Sequence, residues 1–273
     1  MPLSFRPLLE TMGVQVLGFD PAEPLRENTA NELREALTTH RVLLFRDAPL
    51  TEGQQIALTS VAGTLTLRGM AKVEKHQLTS LVSNVHKDGL FGDGELSFHS
   101  DLSFTEHILK ARSLHALMLP STPEAGGETL FSDVQTAYRD LSPELKAMVE
   151  PLKARFTATY DYGDHKDVRE FVRPLIDTHP KTGCKFIAAS RAVTKEVLGM
   201  EREQFRPLLK QLWAHMEQPE YVYRHTWRLG DTLFWDNVAV QHARTPFDPR
   251  EKRALRAVSI DEPSIAVGSE MTS

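Results

Sequence analysis

The chain has 273 residues, of which 41% are hydrophobic and 25% charged, as in ordinary globular proteins. Its net charge of -5 argues against a nucleic-acid surface, and no apolar run is long enough for a membrane-spanning helix. The chain start lacks a signal-peptide pattern, and the single cysteine, Cys184, allows no intramolecular disulfide. We therefore expect a cytoplasmic protein that acts on a small molecule, with no nucleic-acid or membrane partner.

The N-terminal part of the chain alternates between helical and strand-like patterns. An Asn-Thr pair precedes apolar residues at helical spacing, and a later Thr-x-x-Gln pattern is the signature of a capping box. Short apolar runs bounded by polar turns indicate strands. In chain order we predict a helix over 28–39 capped by Asn28 or Thr29, a strand Val42–Phe45, a helix from Thr51 to about Val61, and a strand Leu81–Val85.

The middle and the C-terminal part are richer in strands. A Ser-Pro-Glu sequence indicates a helix start, a Lys-Thr-Gly turn indicates a hairpin, and one long apolar stripe has helical spacing. We predict strands Ser113–Leu119 and Glu128–Phe131, a helix from Ser142 to about Leu152, and strands 155–160 and 171–178. A strand 185–188 is expected to form a hairpin with the strand 171–178. A helix 205–216 and strands 221–227, 232–235, 238–243 and 254–260 follow.

Many short strands with few helices predict a mainly β protein with flanking helices, arranged as a β-sandwich or jelly roll. There is no βαβ alternation with a glycine-rich phosphate loop, which argues against a Rossmann fold. No repeat or obvious linker interrupts the sequence. We predict a single domain over residues 1–273, with its core at about 10–262.

A His-x-Asp pattern provides candidate metal ligands. On a strand, residues i and i+2 point to the same face, so an imidazole and a carboxylate can reach one ion. The pattern occurs at His86/Asp88, His99/Asp101 and His165/Asp167. The first and third lie in polar, loop-like segments, whereas the second lies among apolar strand formers such as Phe98 and Phe104. We therefore predict that His99 and Asp101 bind the metal.

The third ligand is predicted to be His242, which follows the Trp235-Asp236-Asn237 segment on a late strand. Two histidines and one carboxylate leave open coordination positions and are typical of non-haem Fe(II) oxygenases. His225 is the rival, but it alternates with aromatic residues and is interpreted as an ordinary strand histidine. Asp236 or Asn237 is expected to orient His242.

Arg253 lies eleven residues beyond His242 and is predicted to bind a dicarboxylate. A cosubstrate that chelates iron through one end needs a partner for its distal carboxylate, and a guanidinium donates two parallel hydrogen bonds to such a group. Thr129, which follows a Gly-Gly pair, is predicted to add a hydroxyl donor.

With these candidate residues, the sequence resembles the taurine dioxygenase / 2,4-dichlorophenoxyacetate dioxygenase family of Fe(II)/2-oxoglutarate-dependent oxygenases. The resemblance extends over about residues 10–262. It is carried by Gly94–Phe104, Gly126–Phe131, Trp235–Asn237 leading to His242, and Pro249–Arg256.

The resemblance implies a double-stranded β-helix, or jelly roll, that binds Fe(II) through His99, Asp101 and His242. It also implies that Thr129 and Arg253 contact 2-oxoglutarate. The implied reaction uses O2, converts 2-oxoglutarate to succinate and CO2, and most often hydroxylates a small organic substrate. Members of this family are commonly homo-oligomers, either dimers or tetramers. A metal-dependent hydrolase on the same triad and a non-catalytic jelly-roll metal-binding protein are the alternatives.

The sequence departs from the family pattern on the substrate side. Taurine dioxygenase-like members place a second arginine four residues beyond the cosubstrate arginine, whereas this chain has Ala257 there. Arg256 comes one residue earlier, which on a strand directs it to the opposite face. A sulfonate substrate is therefore not expected. Glu95, Phe98 and Tyr160 are the candidate substrate contacts, with Glu95 suited to a cationic or hydroxylated group.

Overall fold

The computed structural model describes residues 2–46, 48–66, 78–87, 89–161 and 166–261. Within these ranges the strands are β1 (Ser4–Pro7), β2 (Val14–Leu17), β3 (Val42–Phe45), β4 (Thr64–Thr66), β5 (Ser80–Ser83), β6 (Leu90–Phe91), β7 (Leu96–His99), β8 (Ala111–Met118), β9 (Thr129–Asp133), β10 (Lys153–Asp161), β11 (Lys166–Pro174), β12 (Ile176–Thr178), β13 (Lys185–Ile187), β14 (Thr194–Val197), β15 (Val222–His225), β16 (Thr232–Asp236), β17 (Val240–Arg244) and β18 (Ala254–Asp261).

Helices lie between and around these strands. They are α1 (Glu27–His40), α2 (Glu52–Ser60), α3 (Val134–Arg139), α4 (Pro143–Val149) and α5 (Arg202–Met216), with one 3-10 turn at Pro123–Ala125. No helix of the described ranges is both long and apolar enough to cross a membrane.

Two facing sheets form the body of the molecule. The large sheet has the order β1-β2-β3-β16-β8-β18-β5-β6, with β4 also paired to β18, and the small sheet has the order β15-β9-β17-β7. Nearly all neighbouring strands are antiparallel, and most neighbours are distant in sequence. This arrangement is a jelly roll, which confirms the predicted mainly β fold with flanking helices. A three-stranded sheet, β11-β10-β14, and the hairpin β12-β13 extend it.

Apolar and aromatic side chains pack between the two sheets. Phe131 of the small sheet packs edge-on against Trp235 of the large sheet, with ring centroids 5.3 Å apart, and both are fully buried. Leu255 and Ala257 of β18 join the same cluster. Each large apolar side chain buried in this way stabilises the fold by about 1.5–3 kcal/mol. The cluster forms a rigid wall beside the histidines described below.

Helices α1 and α2 cover the outer face of the large sheet. Leu33 and Leu37 of α1 and Leu58 of α2 pack in one buried cluster with Phe45 and Phe234. Strand β3 therefore has apolar neighbours on both faces, which explains its unbroken Val-Leu-Leu-Phe run.

Several predicted elements are confirmed. Thr51 and Gln54 form the capping box at the start of α2, and the hairpin of β12 and β13 pairs Ile176 with Ile187. Helix α4 begins after Ser142, whose side chain accepts a hydrogen bond from the Leu145 amide.

Two predicted details are wrong. Helix α1 starts at Glu27, with Arg26 at the N-cap and no side-chain cap, so neither Asn28 nor Thr29 caps it. The predicted strand 171–178 is two strands, because Pro174 lacks an N–H and ends β11. Strand β11 pairs with β10, while β12 pairs with β13.

Candidate metal and cosubstrate site

The two predicted histidine ligands face each other across neighbouring strands. Strands β7 and β17 pair antiparallel, and their register places His99 directly opposite His242. Their ring centroids are 4.3 Å apart. One ligand atom each from His99, Asp101 and His242 lies within 4.8 Å of the other two. The structure therefore brings together three side chains that are up to 143 residues apart in sequence.

Asp101 reaches this point from a turn and not from a strand. Strand β7 ends at His99, so the expectation that both ligands lie on one strand is wrong in detail. The turn is fixed by Asn237, whose side-chain oxygen accepts a 3.0 Å hydrogen bond from the Asp101 amide. The Asn237 amide group donates to the carbonyls of Asp101, at 3.1 Å, and Leu109, at 2.8 Å. Asn237 thus holds the backbone of the carboxylate ligand.

The orientation of the imidazoles suits metal binding. His99 Nδ1 lies 2.8 Å from the Ser97 carbonyl, which can only accept, so this nitrogen carries the proton. Its Nε2 then faces Asp101 at 3.6 Å, and His242 Nε2 faces the same carboxylate at 3.9 Å. Each histidine therefore presents Nε2 to a common point beside the Asp101 oxygens.

Neither Asp236 nor Asn237 orients His242, so that expectation is wrong. Asp236 accepts hydrogen bonds from the Val238 and Ala239 amides. His242 Nδ1 is buried and has no hydrogen-bond partner among the described residues. Its ring is instead held by aromatic packing, 5.0 Å from the Trp235 ring.

The charge states of these side chains are those that bind metals. Burial alone would raise the pKa of Asp101, but Arg112, His242 and His99 together lower it well below its usual range. Burial and the neighbouring His99 lower the pKa of His242 to about 3. Metal ligation requires an ionised carboxylate and a neutral imidazole, and both forms are favoured at neutral pH. A two-histidine, one-carboxylate set of this kind fits Fe(II).

Arg253 and Thr129 line the same cavity as the three candidate ligands. Arg253 is 2% exposed, and its Nε donates to the Gly127 carbonyl at 3.2 Å. Burial lowers the pKa of Arg253 to about 9, so the guanidinium is still charged at neutral pH. Thr129 accepts a hydrogen bond from the Trp227 indole at 3.0 Å. No carboxylate of the described residues forms an ion pair with Arg253, which leaves its charge for an anionic ligand.

Gly127 lets the chain pass close to Arg253. Its φ of 81° is a conformation that other residues rarely adopt. A Cβ at this position would lie 3.1 Å from Arg253 Nε and 3.2 Å from its Cδ. The second glycine of the Gly-Gly pair therefore has a specific steric role beside the cosubstrate cavity.

Sequence reasoning missed two arginines of the site. Arg112 of β8 donates to Asp101 Oδ2 at 2.7 Å, and Arg244 of β17 donates to the carbonyls of Phe91, at 2.8 Å, and Gly92, at 3.0 Å. Both line the cavity with Arg253. The one signal that the sequence offered for Arg112 was an arginine within a mostly apolar strand, whose first six residues are buried in the structure.

A second cavity, of about 290 Å³, adjoins the candidate ligands. Tyr160 lies in its wall, as expected, together with Leu102 and Phe104. Phe98 does not line it, because its side chain is buried on the other face of β7 from His99. Glu95 is exposed at the surface and lines neither cavity. The structure therefore places neither Phe98 nor Glu95 at a cavity wall, and their role as substrate contacts stays a prediction without structural support.

The other candidate ligands do not join this site. In the His86/Asp88 and His165/Asp167 pairs, Asp88 and His165 lie outside the described residues, so only His86 and Asp167 can be placed. His225 is buried 3.3 Å from Asp231 and bonds to the Tyr223 hydroxyl, away from the candidate ligands. Its interpretation as a strand histidine agrees with this placement.

The positions 256 and 257 behave as their strand alternation predicts. Ala257 is buried in the cluster between the two sheets. Arg256 points to the outer face, where it donates to the Gln55 side chain at 2.7 Å and the Leu50 carbonyl at 2.9 Å. Arg253, directly before β18, therefore reaches the site, whereas β18 itself contributes no second arginine to it.

Comparison with known proteins gives matches over nearly the whole chain. A sequence model of the family described as "Taurine catabolism dioxygenase TauD, TfdA family" matches residues 4–259. Pentalenolactone F synthase of Streptomyces arenae is 30% identical over 90% of this chain and 91% of that protein. The alpha-ketoglutarate-dependent 2,4-dichlorophenoxyacetate dioxygenase of Cupriavidus pinatubonensis is 31% identical over 96% and 99%. The crystal structure of AAD-2 in complex with Mn(II) and N-oxalylglycine superposes with a TM-score of 0.82 at 28% identity, covering 98% and 99%.

Proposed function

The chain belongs to the taurine catabolism dioxygenase TauD, TfdA family and is a 2-oxoglutarate-dependent dioxygenase, and we propose that its metal is Fe(II) and that it hydroxylates a small organic molecule. In this reaction one oxygen atom of O2 enters the substrate C–H bond as a hydroxyl. The other enters succinate as 2-oxoglutarate loses CO2.

The single observation that carries the proposal is the convergence of His99, Asp101 and His242 beside Arg253, a buried arginine that forms no ion pair with a described residue. The three side chains would hold the metal through two Nε2 atoms and one carboxylate. With three protein ligands, the ion would keep coordination positions open for a chelating 2-oxoacid. The metal and 2-oxoglutarate, when bound, supply the activation of O2, and the protein supplies ligation and orientation.

Arg253 and Thr129 would hold the distal carboxylate of 2-oxoglutarate. A guanidinium matches a carboxylate with two charge-assisted hydrogen bonds, and its burial excludes competing water. A metal-dependent hydrolase would have no need of a buried cation at this place. Arg253, which has no carboxylate partner in the described part of the chain, therefore favours a dicarboxylate-dependent oxygenase over hydrolysis on the same triad.

The 290 Å³ cavity next to the candidate ligands would receive the substrate. Its walls include Leu102, Phe104 and Tyr160, so a bound molecule is shielded from water on apolar surfaces. This volume suits one small molecule and not a polymer. Shielding also keeps the oxidising chemistry directed at the substrate.

The test is succinate formation from 2-oxoglutarate under O2 with added Fe(II), across a panel of small organic molecules. We expect at least one compound to raise succinate release above the level of a His99→Ala variant. Arg253→Gln is expected to require far more 2-oxoglutarate, whereas the exposed Arg250→Gln serves as the matched control. If no compound raises turnover above the His99→Ala level, the oxygenase proposal fails. Hydrolysis of a compound without 2-oxoglutarate would instead indicate a hydrolase.

A further inference from the structure

The Thr129 hydroxyl accepts a hydrogen bond on its far side from the cosubstrate cavity. A hydroxyl has one proton to donate and two lone pairs, whereas an indole N–H can only donate. In the 3.0 Å bond between them, Trp227 Nε1 is therefore the donor and Thr129 Oγ1 the acceptor. Thr129 is 3% exposed and lines the cavity of Arg253, which Trp227 does not line. The indole thus leaves the Thr129 proton available for a partner inside the cavity.

A histidine of β15 packs against Trp227. The His225 ring stands perpendicular to the Trp227 ring, at 89°, with ring centroids 4.6 Å apart. In the pairing of β15 with β9, His225 lies directly opposite Thr129. Opposed side chains of neighbouring strands lie close together on one face of the sheet. His225, Trp227 and Thr129 therefore form one contiguous group, in which the histidine fixes the place of the indole.

Buried polar groups fix His225 in turn. Its Nδ1 bonds to the Tyr223 hydroxyl at 2.8 Å, and its Nε2 lies 3.3 Å from Asp231. His225 and Asp231 are both 1% exposed, and Asp231 pairs with Arg46 at 2.8 Å. Paired polar networks of this kind make their surroundings rigid. None of these four side chains lines either cavity of the site, so the cluster can reach a ligand only through the indole that it holds.

The indole bond of Trp227 distinguishes it from the other tryptophans. A buried indole N–H usually finds a partner, so the bond could serve only to satisfy the ring. The chain has three tryptophans, and the buried Nε1 atoms of Trp213 and Trp235 have no hydrogen-bond partner among the described residues. This fold therefore tolerates an indole without a partner. Trp227 differs because its acceptor is a hydroxyl of the cavity that holds Arg253.

We propose that Trp227 is a positioning residue for the cosubstrate, whose N–H fixes the rotation of the Thr129 hydroxyl so that this hydroxyl donates to the distal carboxylate bound by Arg253. The inference rests on the proposed function, since it concerns the cosubstrate end of the same site. Hydrogen bonds in a row strengthen one another, so the indole also makes the hydroxyl a better donor. Without the indole N–H, the hydroxyl is free to turn its proton away from the carboxylate.

The test compares two chelators of the same metal without turnover. N-oxalylglycine carries a distal carboxylate like that of 2-oxoglutarate, whereas oxalate chelates a metal and has no distal group for Thr129 and Arg253. Both are titrated calorimetrically into the protein loaded with Mn(II). Trp227→Phe keeps an aromatic ring without the N–H, Thr129→Val keeps the shape without the hydroxyl, and the double variant combines them. Trp213→Phe, on α5, is the matched control.

We expect Trp227→Phe to weaken N-oxalylglycine binding about three- to tenfold and Thr129→Val to weaken it about tenfold or more, because a hydrogen bond to a charged group is weakened or lost. The double variant should bind no more weakly than Thr129→Val, since no hydroxyl remains for the indole to orient. Oxalate affinity should stay within about twofold in every variant, and Trp213→Phe should change neither ligand. If Trp227→Phe does not fold, Trp227→Met replaces it, because a thioether has no hydrogen to donate.

Several results would overturn the assignment of Trp227. Unchanged N-oxalylglycine affinity in Trp227→Phe or in Thr129→Val would remove its basis. An equal fall in oxalate affinity, or the same fall in Trp213→Phe, would indicate a general loss of structure. Losses that multiply in the double variant would show that Trp227 acts independently of the Thr129 hydroxyl. In each case only the role of Trp227 is withdrawn, whereas failure of the wild-type protein to bind N-oxalylglycine with Mn(II) would refute the proposed function.

Discussion

Asn237 offers a sharp test of how the site is built, because it holds a metal ligand without touching the metal. Its side chain is fully buried and makes hydrogen bonds with the Asp101 amide, the Asp101 carbonyl and the Leu109 carbonyl. Asn237→Ala removes all three and leaves the turn that carries Asp101 without its anchor. We expect the variant to lose both stability and metal affinity.

The magnitude follows from the three bonds. Each buried hydrogen bond contributes about 1 kcal/mol net, so their loss costs about 3 kcal/mol of unfolding free energy. For a chain of this size that lowers the melting temperature by roughly 6–12 °C. Freeing the Asp101 backbone costs roughly 10–100-fold in metal affinity, as is typical when the support of a metal ligand is removed.

The assay combines thermal unfolding of the metal-free protein with Mn(II) titration of the folded protein, well below the melting temperature. Asn31→Ala, at an exposed position of α1, is the control and should change neither value. If Asn237→Ala lowers stability as expected but binds Mn(II) with wild-type affinity, Asn237 does not position Asp101. Unchanged stability would refute the expected contribution of the three Asn237 hydrogen bonds to the free energy of unfolding.

Three further predictions concern the cosubstrate end and the pH response. Arg253→Gln should raise the KM for 2-oxoglutarate roughly 10–100-fold, since a buried charge-assisted pair is lost, with no matching rise in Arg250→Gln. Gly127→Ala should raise the same KM, because its Cβ would lie 3.1 Å from Arg253 Nε; an unchanged KM would refute the steric argument. Burial and Arg256 lower the pKa of His115 to about 4, so the unfolded chain binds the proton more tightly and stability falls as pH drops from about 6.5 towards 4. The free energy of unfolding of the metal-free protein should therefore fall between about pH 7 and pH 5, and in His115→Gln this fall should be smaller by about 2 kcal/mol, as measured by denaturant titration. An identical fall in both proteins would contradict this.

The core of the site was predictable because its parts combine local patterns with distinctive spacing. The strand context distinguished His99 and Asp101 from two similar pairs, and the late His242 with Arg253 completed a recognisable set. Their proximity depends on the pairing of β7 with β17, which no local pattern reveals. The pairing could be inferred only from the order and spacing of the motifs, because these resemble the motifs of a family with this fold.

The placement of Phe98 and Glu95 away from the cavity walls has a physical cause in the pairing of strand β7 and the residue before it. Alternation alone excludes Phe98 from the face of His99. The same alternation would place Glu95 on that face, but the pairing with β17 shifts between His242 and Arg244. This irregularity brings Leu96 into the cavity wall instead of Glu95. Such shifts depend on tertiary pairing and leave no clear signal in the sequence.

Arg112 was missed for a related reason. Its role depends on which strands lie beside β8, and its neighbours in the sheet, Ser259 and Trp235, are more than 100 residues away in sequence. Within β8 it is one charged residue in a segment that also contains Ser113 and His115 among apolar residues. Only the sheet order shows that it reaches Asp101 and both cavities.

The central claim is that one ion binds His99, Asp101 and His242 and that 2-oxoglutarate chelates it while bound to Arg253. Anaerobic titration with Fe(II) and 2-oxoglutarate tests this directly, because a 2-oxoacid chelated to Fe(II) absorbs visible light by charge transfer. The account predicts that the absorption appears at one Fe(II) per chain and is absent from His242→Ala. In Arg253→Gln it should need much more 2-oxoglutarate. No absorption in the wild-type protein, or full absorption in His242→Ala, would contradict the account.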